Sequence, residues 1–163
     1  MANIVLIGMP GCGKSTVGVI LAKTLGIGFV DTDLIIQQRE NRLLQNIIDT
    51  DGIDYFLDCE SNAIQSIECV NSVIATGGSA VYRDDAIEYL KKNGKIIYLD
   101  VPLDEIKKRL NNINTRGIAA KKNKSIEDIY SERVALYNKH ADIIIKTDGD
   151  SVEQTVEKIC KIY

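Results

Sequence analysis

The sequence predicts a three-layer α/β/α fold with a central, mostly parallel sheet of five strands. Five short segments, rich in β-branched residues and almost free of polar ones, are typical of strands buried on both faces: 4–7, 29–30, 73–75, 96–99 and 143–145. Segments with helical apolar spacing separate these strands along the whole chain. This regular alternation indicates a parallel sheet with helices packed on both of its faces.

Helices are expected in the segments between the strands. They span residues 15–25, 34–40, 44–49, 55–68, 84–93, 103–111, 125–140 and 151–160. Several begin at residues that commonly cap a helix N-terminus, namely Asp84, Asp104, Ser125 and Ser151. No internal repeat or linker interrupts the pattern, so residues 1–163 are expected to form a single domain.

Composition and charge argue against several classes of protein. A net charge of −3 and an isoelectric point near 5.2 disfavour a nucleic-acid partner, because such binding depends on clustered lysine and arginine. No apolar run approaches the roughly 20 residues of a membrane span, and the N-terminus lacks the pattern of a signal peptide. The four cysteines have neither zinc-site spacing nor the density of a disulfide framework, so we expect reduced thiols and a cytoplasmic location.

The most specific local signal is the stretch of residues 8–15, Gly-Met-Pro-Gly-Cys-Gly-Lys-Ser, between the first strand and the first helix. Glycines allow backbone N–H groups to point at phosphate oxygens, and the helix that follows adds the positive end of its dipole. Lys14 is expected at the β- and γ-phosphates of a nucleotide, and the Ser15 hydroxyl at Mg²⁺. The other residues of the expected nucleotide site are Gly11, Cys12, Gly13 and Thr16. A plain glycine turn is the alternative, but the flanking strand and helix favour phosphate binding.

The position of Cys12 in this loop also affects the reactivity of its thiol. It lies beside a helix N-terminus and Lys14, and both features favour a thiolate. Cys12 is therefore a candidate alkylation site, without a catalytic role being assigned to it.

Two aspartates, Asp31 and Asp33, follow the second strand. Ligands bind beyond the carboxyl ends of the strands in such sheets, and alternation in an extended segment sends both side chains to the same side. We expect one carboxylate near the magnesium ion and the other to accept a hydrogen bond from a substrate hydroxyl and act as base. The alternative for Asp33 is a capping role at a helix that begins at Leu34.

Three further segments are candidates for substrate contacts. The third strand ends in Thr-Gly-Gly-Ser at residues 76–79, where glycines permit close approach of a ligand, although a tight turn would use the same residues. Residues 34–69 form a long helical excursion, expected to be an acceptor-binding subdomain. Residues 111–124 are basic and turn-rich and are expected to form a mobile lid, with a plain surface loop as the alternative.

Taken together, these stretches resemble the shikimate kinase family over nearly the whole chain. The similarity covers residues 8–16, 29–33, 52–60, 73–78 and 97–99, together with Arg109, Arg116 and Arg133. It implies a fold of the P-loop kinase type and transfer of the γ-phosphate of ATP to the 3-hydroxyl of shikimate. It also implies ATP and Mg²⁺ as cofactors. We expect a monomer that binds a small-molecule substrate, with no nucleic-acid or membrane partner.

The resemblance implies roles for residues around the phosphate donor. Lys14 and Arg116 are similar to catalytic residues that contact the phosphates, Arg116 from the lid. Ser15 and Asp31 resemble the residues at the metal and its water shell. Arg109 is similar to the residue that stacks on adenine.

On the acceptor side, Asp33 resembles the aspartate that binds the substrate hydroxyls and acts as base. Arg133 resembles the arginine that binds the substrate carboxylate, and Gly77 and Gly78 resemble the substrate-facing turn. The alternative for Arg133 is a solvated position on a long helix.

The acceptor side also departs from the family pattern. Leu57 stands where the family has an arginine for the substrate carboxylate, so a charge-assisted contact worth roughly 1.5–3 kcal/mol is missing. Glu60, which orients that arginine in the family, has lost its partner, and Ser79 replaces the third glycine of the turn. Candidates to replace the missing cation are Arg39, Arg42 and Arg83.

The leading hypothesis is therefore an ATP-dependent phosphotransferase of the shikimate kinase type, with shikimate as acceptor. Two alternatives remain open: a P-loop kinase that acts on another small hydroxylated metabolite, and a nucleotide-binding regulatory protein without phosphotransfer. The intact residues Lys14, Ser15, Asp31 and Asp33 favour an enzyme over the regulatory protein.

Overall fold

The computed structural model describes residues 2–111, 118 and 124–163 and contains the predicted sheet. Its strands are β1 (Asn3–Ile7), β2 (Gly28–Asp31), β3 (Ser72–Ala75), β4 (Gly94–Asp100) and β5 (Ile143–Lys146). They lie in the order β2-β3-β1-β4-β5, and every neighbouring pair is parallel. The predicted α/β class and all five strands are confirmed, and the sheet is wholly parallel.

The helices follow the predicted alternation. They are α1 (Lys14–Leu25), α2 (Thr32–Glu40), α3 (Leu44–Gln65), α4 (Asp84–Asn93), α5 (Leu103–Asn111), α6 (Ile126–His140) and α7 (Val152–Cys160), with a single 3₁₀ turn at Ala80–Tyr82. The two helices predicted at 44–49 and 55–68 are the two arms of α3, which Gly52 interrupts with φ 86° and ψ 173°. The second arm ends at Gln65, three residues short of the prediction.

The strand order determines which face of the sheet each helix covers. From β1 the chain crosses to β2 at one edge, and afterwards it moves through β3, past β1, to β4 and to β5 at the other edge. Because crossovers between parallel strands are right-handed, α1 lies on one face and α2 to α6 lie on the opposite face. The last helix, α7, packs against α1. The protein therefore has the three predicted layers.

The apolar residues form a main core around the sheet and a smaller cluster between α2 and α3. All five residues of β1 are buried, as expected for a strand covered on both faces. The smaller cluster consists of Ile36, Ile47, Phe56, Leu57 and Ala63. Leu57 is thus part of the packing that holds α3 against α2.

Two of the four predicted N-caps are correct. Ser125 and Ser151 each form a capping box, in which the serine hydroxyl accepts from the third helical N–H and that residue's side chain accepts from the serine N–H. Asp84 and Asp104 instead lie in the first turns of α4 and α5. Carboxylates are favourable both at the cap and in the first turn, because both positions face the positive end of the helix dipole.

No helix in the described part of the chain is long and apolar enough to cross a membrane.

Substitution of Ser125 by alanine is expected to lower the free energy of unfolding by about 1 kcal/mol, because the first turn of α6 loses its side-chain acceptor. Urea denaturation would measure this loss as a lower midpoint with an unchanged slope. Ser125→Thr, which keeps the hydroxyl, is the matched control and should unfold close to the wild type. Equal midpoints for the alanine variant and the wild type would contradict the importance of this cap.

Candidate active site

A cavity of about 330 Å³ opens at the carboxyl ends of β1, β2 and β3. Its lining comes from the end of β2, the loops after the strands, and α1, α2, α3 and α6: Pro10, Lys14, Ser15, Asp31, Asp33, Leu34, Gln37, Leu43, Leu44, Phe56, Thr76, Gly77, Gly78, Ser79 and Arg133. This is the position at which parallel α/β sheets bind ligands. The predicted phosphate loop, the two aspartates, the glycine turn and Arg133 therefore meet in one place.

The phosphate loop has the backbone geometry expected of it. Gly11 and Gly13 adopt φ values of 81° and 96°, a region that residues with a Cβ rarely occupy. Gly13 is the N-cap of α1 and has no side-chain cap, so the first N–H groups of α1 face the loop without a side-chain acceptor. Lys14 is 7% exposed, and its Nζ donates to the carbonyls of Gly8 at 2.7 Å and Met9 at 2.9 Å. The loop thus holds its lysine in a defined position at an anion-binding helix end.

Cys12 is less accessible than its place in the loop suggested. It is 4% exposed, and its Sγ lies 3.6 Å from the Lys14 Nζ. An alkylating reagent can reach Sγ only if the loop opens, so the predicted alkylation site is closed in this conformation.

Asp31 and Asp33 both line the cavity, but for a different reason from the predicted one. The helix α2 begins at Thr32, two residues earlier than expected. Asp31 is its N-cap and accepts from the Asp33 N–H at 3.0 Å, so the capping role considered for Asp33 belongs to Asp31. Asp33 faces the cavity from the first turn of α2, where its carboxylate also lies at the positive end of the helix dipole.

The turn at Gly77 and Gly78 requires both glycines. An ideal Cβ on Gly77 would lie 2.0 Å from Glu60 Oε1, and one on Gly78 would lie 2.8 Å from Pro10 Cδ and 3.0 Å from Arg133 Nη1. A side chain at Gly78 would clash with the rigid Pro10 ring, and one at Gly77 would displace the buried Glu60 carboxyl. The turn is further fixed by Tyr137, whose hydroxyl donates to the Gly78 carbonyl at 2.6 Å. The weak sequence signal therefore marks a close backbone approach between α3 and α6.

Arg133 is a buried residue of the cavity wall, which rules out the solvated position considered for it. It is 1% exposed, although it lies on the long helix α6. Its Nε donates to the Tyr82 hydroxyl at 3.3 Å, and its guanidinium lies 5.3 Å from the centre of the Tyr82 ring. A buried guanidinium in a cavity wall is suited to bind a carboxylate.

The three arginines considered as replacements for the cation missing at Leu57 are engaged elsewhere. Arg39 donates to Asn62 and Ser66, Arg42 pairs with Glu40 and Asp51, and Arg83 pairs with Asp58. None of them lines the cavity. The cations of the described residues that do line it are Lys14 and Arg133.

Glu60 is the residue whose importance the sequence prediction missed. It is 1% exposed, and Ser79 Oγ donates to its Oε2 at 2.6 Å. Its Oε1 has no hydrogen-bond partner among residues 2–111, 118 and 124–163. Burial, and to a lesser extent the nearby Asp33, raise the pKa of Glu60 to about 7, against the lowering effects of Ser79, Arg133 and Lys14. In the sequence, Ser79 departs from the family pattern and Glu60 lacks its usual partner; in the structure these two side chains are hydrogen-bonded to each other.

Arg109, which does not line the cavity, lies against the backbone of the phosphate loop. Its Nη1 donates to the carbonyls of Gly11 at 3.4 Å and Cys12 at 3.3 Å, and its Nη2 pairs with Glu105. Arg109 is therefore near the helix end where a nucleotide would bind. Arg116 and most of the predicted lid at 111–124 lie outside the described residues.

A buried lysine in a glycine loop, two carboxylates and a buried arginine around one cavity define a P-loop phosphotransferase that acts on a small molecule. Comparisons with known proteins agree with this class. A model of the family described as "Shikimate kinase" matches residues 10–163. The chain therefore belongs to the shikimate kinase family and is an ATP-dependent phosphotransferase.

Individual relatives match over almost their full length. A shikimate kinase of Clostridium botulinum strain Alaska E43 is 37% identical over 161 residues, which cover 98% of this chain and 96% of the relative. That of Persephonella marina is 37% identical, covering 98% and 97%. The structure of shikimate kinase from Acinetobacter baumannii in complex with shikimate superposes with a TM-score of 0.90 at 29% identity, covering 99% of this chain and 92% of that one. That from Aquifex aeolicus gives 0.83 at 31% identity, covering 98% and 94%.

Substitution of Glu60 by glutamine is expected to remove a pH dependence of stability. In the wild type the folded-state pKa of Glu60, about 7, lies above the ordinary value of 4.5, so folding favours its protonated form. Its contribution is fully present below pH 4.5 and is lost as the pH rises through 7, a loss of about 3 kcal/mol in the free energy of unfolding. Denaturation at pH 5 and pH 8 would measure it.

The matched control for this measurement is Glu68→Gln, which changes an exposed glutamate just beyond α3. It should keep the pH dependence of the wild type, whereas Glu60→Gln should reduce it by most of that amount. An equal pH dependence in all three proteins would contradict the assignment of Glu60 as a buried acid.

Proposed function

We propose that this chain transfers the γ-phosphate of ATP to the 3-hydroxyl of shikimate and that shikimate occupies the cavity between Asp33, Gly78 and Arg133. The observation that carries the proposal is the buried guanidinium of Arg133 in the same cavity wall as the lysine of the phosphate loop. The cavity thus offers one cation for an anionic acceptor and another for the phosphates. The relative from Acinetobacter baumannii, whose structure contains shikimate, supports this choice of acceptor.

On the acceptor side, Arg133 binds the carboxylate through charge-assisted hydrogen bonds, and the Gly77–Gly78 turn provides a backbone surface without side chains. Asp33 accepts the proton of the reacting hydroxyl as the bond from that oxygen to the γ-phosphorus forms and the bond to the leaving ADP breaks. Residues 34–69 act as the acceptor-binding subdomain of the single domain 1–163. Leu57 supplies no charge, because it packs into the cluster between α2 and α3.

On the donor side, Lys14 and the N–H groups of residues 11–16 hold the phosphates, and Lys14 stabilises the charge that develops on the transferred group. Arg109 stacks on the adenine, and Arg116 closes on the phosphates as part of a lid at 111–124. The position of Arg109 against the Gly11 and Cys12 carbonyls supports its part of this proposal. The lid, the monomeric state and the cytoplasmic location stay predictions.

Mg²⁺ fits the residues present. No cluster of three or more metal-binding side chains occurs in the part of the chain that the structure describes, which agrees with the preference of Mg²⁺ for one or two protein ligands, water and phosphate oxygens. The Ser15 hydroxyl and the Asp31 carboxylate both line the cavity beside Lys14 and would hold the ion and its water shell. When bound, the ion would neutralise charge on the phosphate oxygens.

The acceptor is tested by measuring phosphorylation of shikimate, quinate, gluconate and an amino alcohol at equal concentration. Shikimate should give the highest kcat/KM, and ³¹P NMR should locate the phosphate on its 3-oxygen. Lys14→Ala serves as the control for contaminating kinase, since it should lose turnover with every acceptor.

Turnover of another acceptor without turnover of shikimate above the ATPase background would overturn the proposal in favour of a related kinase. The buried, uncharged Leu57 is the observation that favours this second candidate. Binding of ATP without turnover of any acceptor would instead indicate a regulatory nucleotide-binding protein.

The role of Arg133 is tested by comparing shikimate with its carboxamide, which lacks the charge. The wild type should prefer shikimate by about 10- to 100-fold in kcat/KM, the value of one charge-assisted contact. Arg133→Met should abolish this preference, whereas Arg133→Lys should retain part of it because the charge remains but the paired geometry is lost. The KM for ATP should change less than about twofold in both variants. A preference that survives in Arg133→Met would place the carboxylate elsewhere.

A further inference from the structure

We propose that Ser79 is a positioning residue of the acceptor pocket, which fixes the Gly77–Gly78 turn against Arg133 through its hydrogen bond to Glu60. The proposal rests on the proposed acceptor function, because it assigns a role within that same pocket. Ser79 takes no part in the transfer of the phosphate. It affects binding of the acceptor through Glu60 and the Gly77–Gly78 turn.

The hydrogen bond between Ser79 and Glu60 is isolated from solvent. Ser79 is 3% exposed and Glu60 is 1% exposed, and the distance from Ser79 Oγ to Glu60 Oε2 is 2.6 Å. No other side-chain hydrogen bond to Glu60 occurs among the described residues. A buried carboxyl group with one donor depends strongly on that donor.

Glu60 also determines the position of the Gly77–Gly78 turn. Its Oε1 approaches Gly77 so closely that an ideal Cβ there would lie 2.0 Å away. On the other side of the turn, Gly78 touches Pro10 and Arg133 with no room for a side chain. The turn is therefore held between the Glu60 carboxyl and the Arg133 guanidinium, and a shift of that carboxyl moves the backbone against the arginine that binds the acceptor.

Leu57 explains why the hydroxyl of Ser79 is needed in this chain. Leu57 precedes Glu60 by three residues on α3, a spacing at which side chains of a helix are neighbours. A cation at that position could bind the Glu60 carboxyl, but the leucine packs into the apolar cluster and leaves the carboxyl to Ser79. The hydrogen bond from Ser79 thus connects the second arm of α3 to the end of β3.

The charged groups that face Glu60 come from three elements: Asp33 from α2, Lys14 from α1 and Arg133 from α6. Burial and Asp33 raise the pKa of Glu60, while the Ser79 hydroxyl, Arg133 and Lys14 lower it. Loss of the hydroxyl should therefore move the titration of Glu60 to higher pH. This shift distinguishes a positioning role through Glu60 from a general loss of stability.

The experiment measures KM for shikimate and for ATP, each as a function of pH, in Ser79→Ala and Ser79→Thr. The alanine variant should raise the KM for shikimate about tenfold, with the KM for ATP changed less than about twofold. Its transition near neutral pH should move to higher pH, and Ser79→Thr should remain close to the wild type. Ser66→Ala removes a serine hydroxyl near the end of α3 that contacts Arg39, and it should change neither constant.

A double-mutant cycle provides the decisive comparison. In the Leu57→Arg background, the new guanidinium binds the Glu60 carboxyl in place of Ser79. Ser79→Gly should therefore raise the KM for shikimate about tenfold in the wild type but less than about twofold in the Leu57→Arg background. Equal costs in both backgrounds would overturn the proposal, as would a Ser79→Ala variant with the KM and pH transition of the wild type.

Failure of the proposed function gives a different result. If the wild type does not phosphorylate shikimate, the acceptor assignment fails, and the Ser79 proposal is then decided by NMR titration of the ¹³C-labelled Glu60 carboxyl. A higher titration midpoint in Ser79→Ala would support the contact, and an unchanged midpoint would overturn it.

Discussion

The central position of β1 is the constraint on which the rest of the site depends. β1 pairs with β3 on one side and β4 on the other, so the loop that follows it emerges in the middle of the sheet edge. Thr76, just after β3, donates its N–H and its hydroxyl to the carbonyl of Leu6 in β1. This link joins the start of the glycine turn to the strand that leads into the phosphate loop. Donor and acceptor sites are thus held together by the pairing of two buried strands.

The half of the site that binds the phosphate donor and the half that binds the acceptor obtain their charge in different ways. The donor half uses backbone dipoles and one lysine at a helix end, which are effective because the loop cannot rearrange far from its strand and helix. The acceptor half depends on side chains from three helices: the buried cation Arg133, the buried acid Glu60 and the half-buried acid Asp33. Two acids so close to a phosphate site repel each other and the phosphates, and the neutral form of Glu60 reduces that repulsion. The acceptor half is therefore the part of the site most sensitive to small shifts in position.

The fold could be predicted because its strongest signals are local. Each strand is a short β-branched segment, and the motif of residues 8–15 requires a strand before it and a helix after it. The aspartate caps were wrong because carboxylates are equally favourable at the cap and in the first turn. The burial of Arg133 could not be predicted from α6 alone, since it depends on the turn at Gly78 and on Tyr82, both far away in sequence. The same holds for Ser79 and Glu60, which are 19 residues apart and meet only when α3 packs against the 3₁₀ turn that follows β3.

The interruption at Gly52 divides α3, which lines the acceptor pocket, into two arms. With φ 86° and ψ 173°, Gly52 occupies a backbone region that is essentially restricted to glycine, and helical hydrogen bonding is broken there. Leu43 and Leu44, at the start of the first arm, line the cavity, whereas Phe56 and Glu60 belong to the second arm. The break at Gly52 therefore separates these two leucines from the buried Glu60 contact. A substitution in the first arm thus alters the lining at Leu43 and Leu44, whereas the departure at Leu57 lies on the second arm, three residues from Glu60.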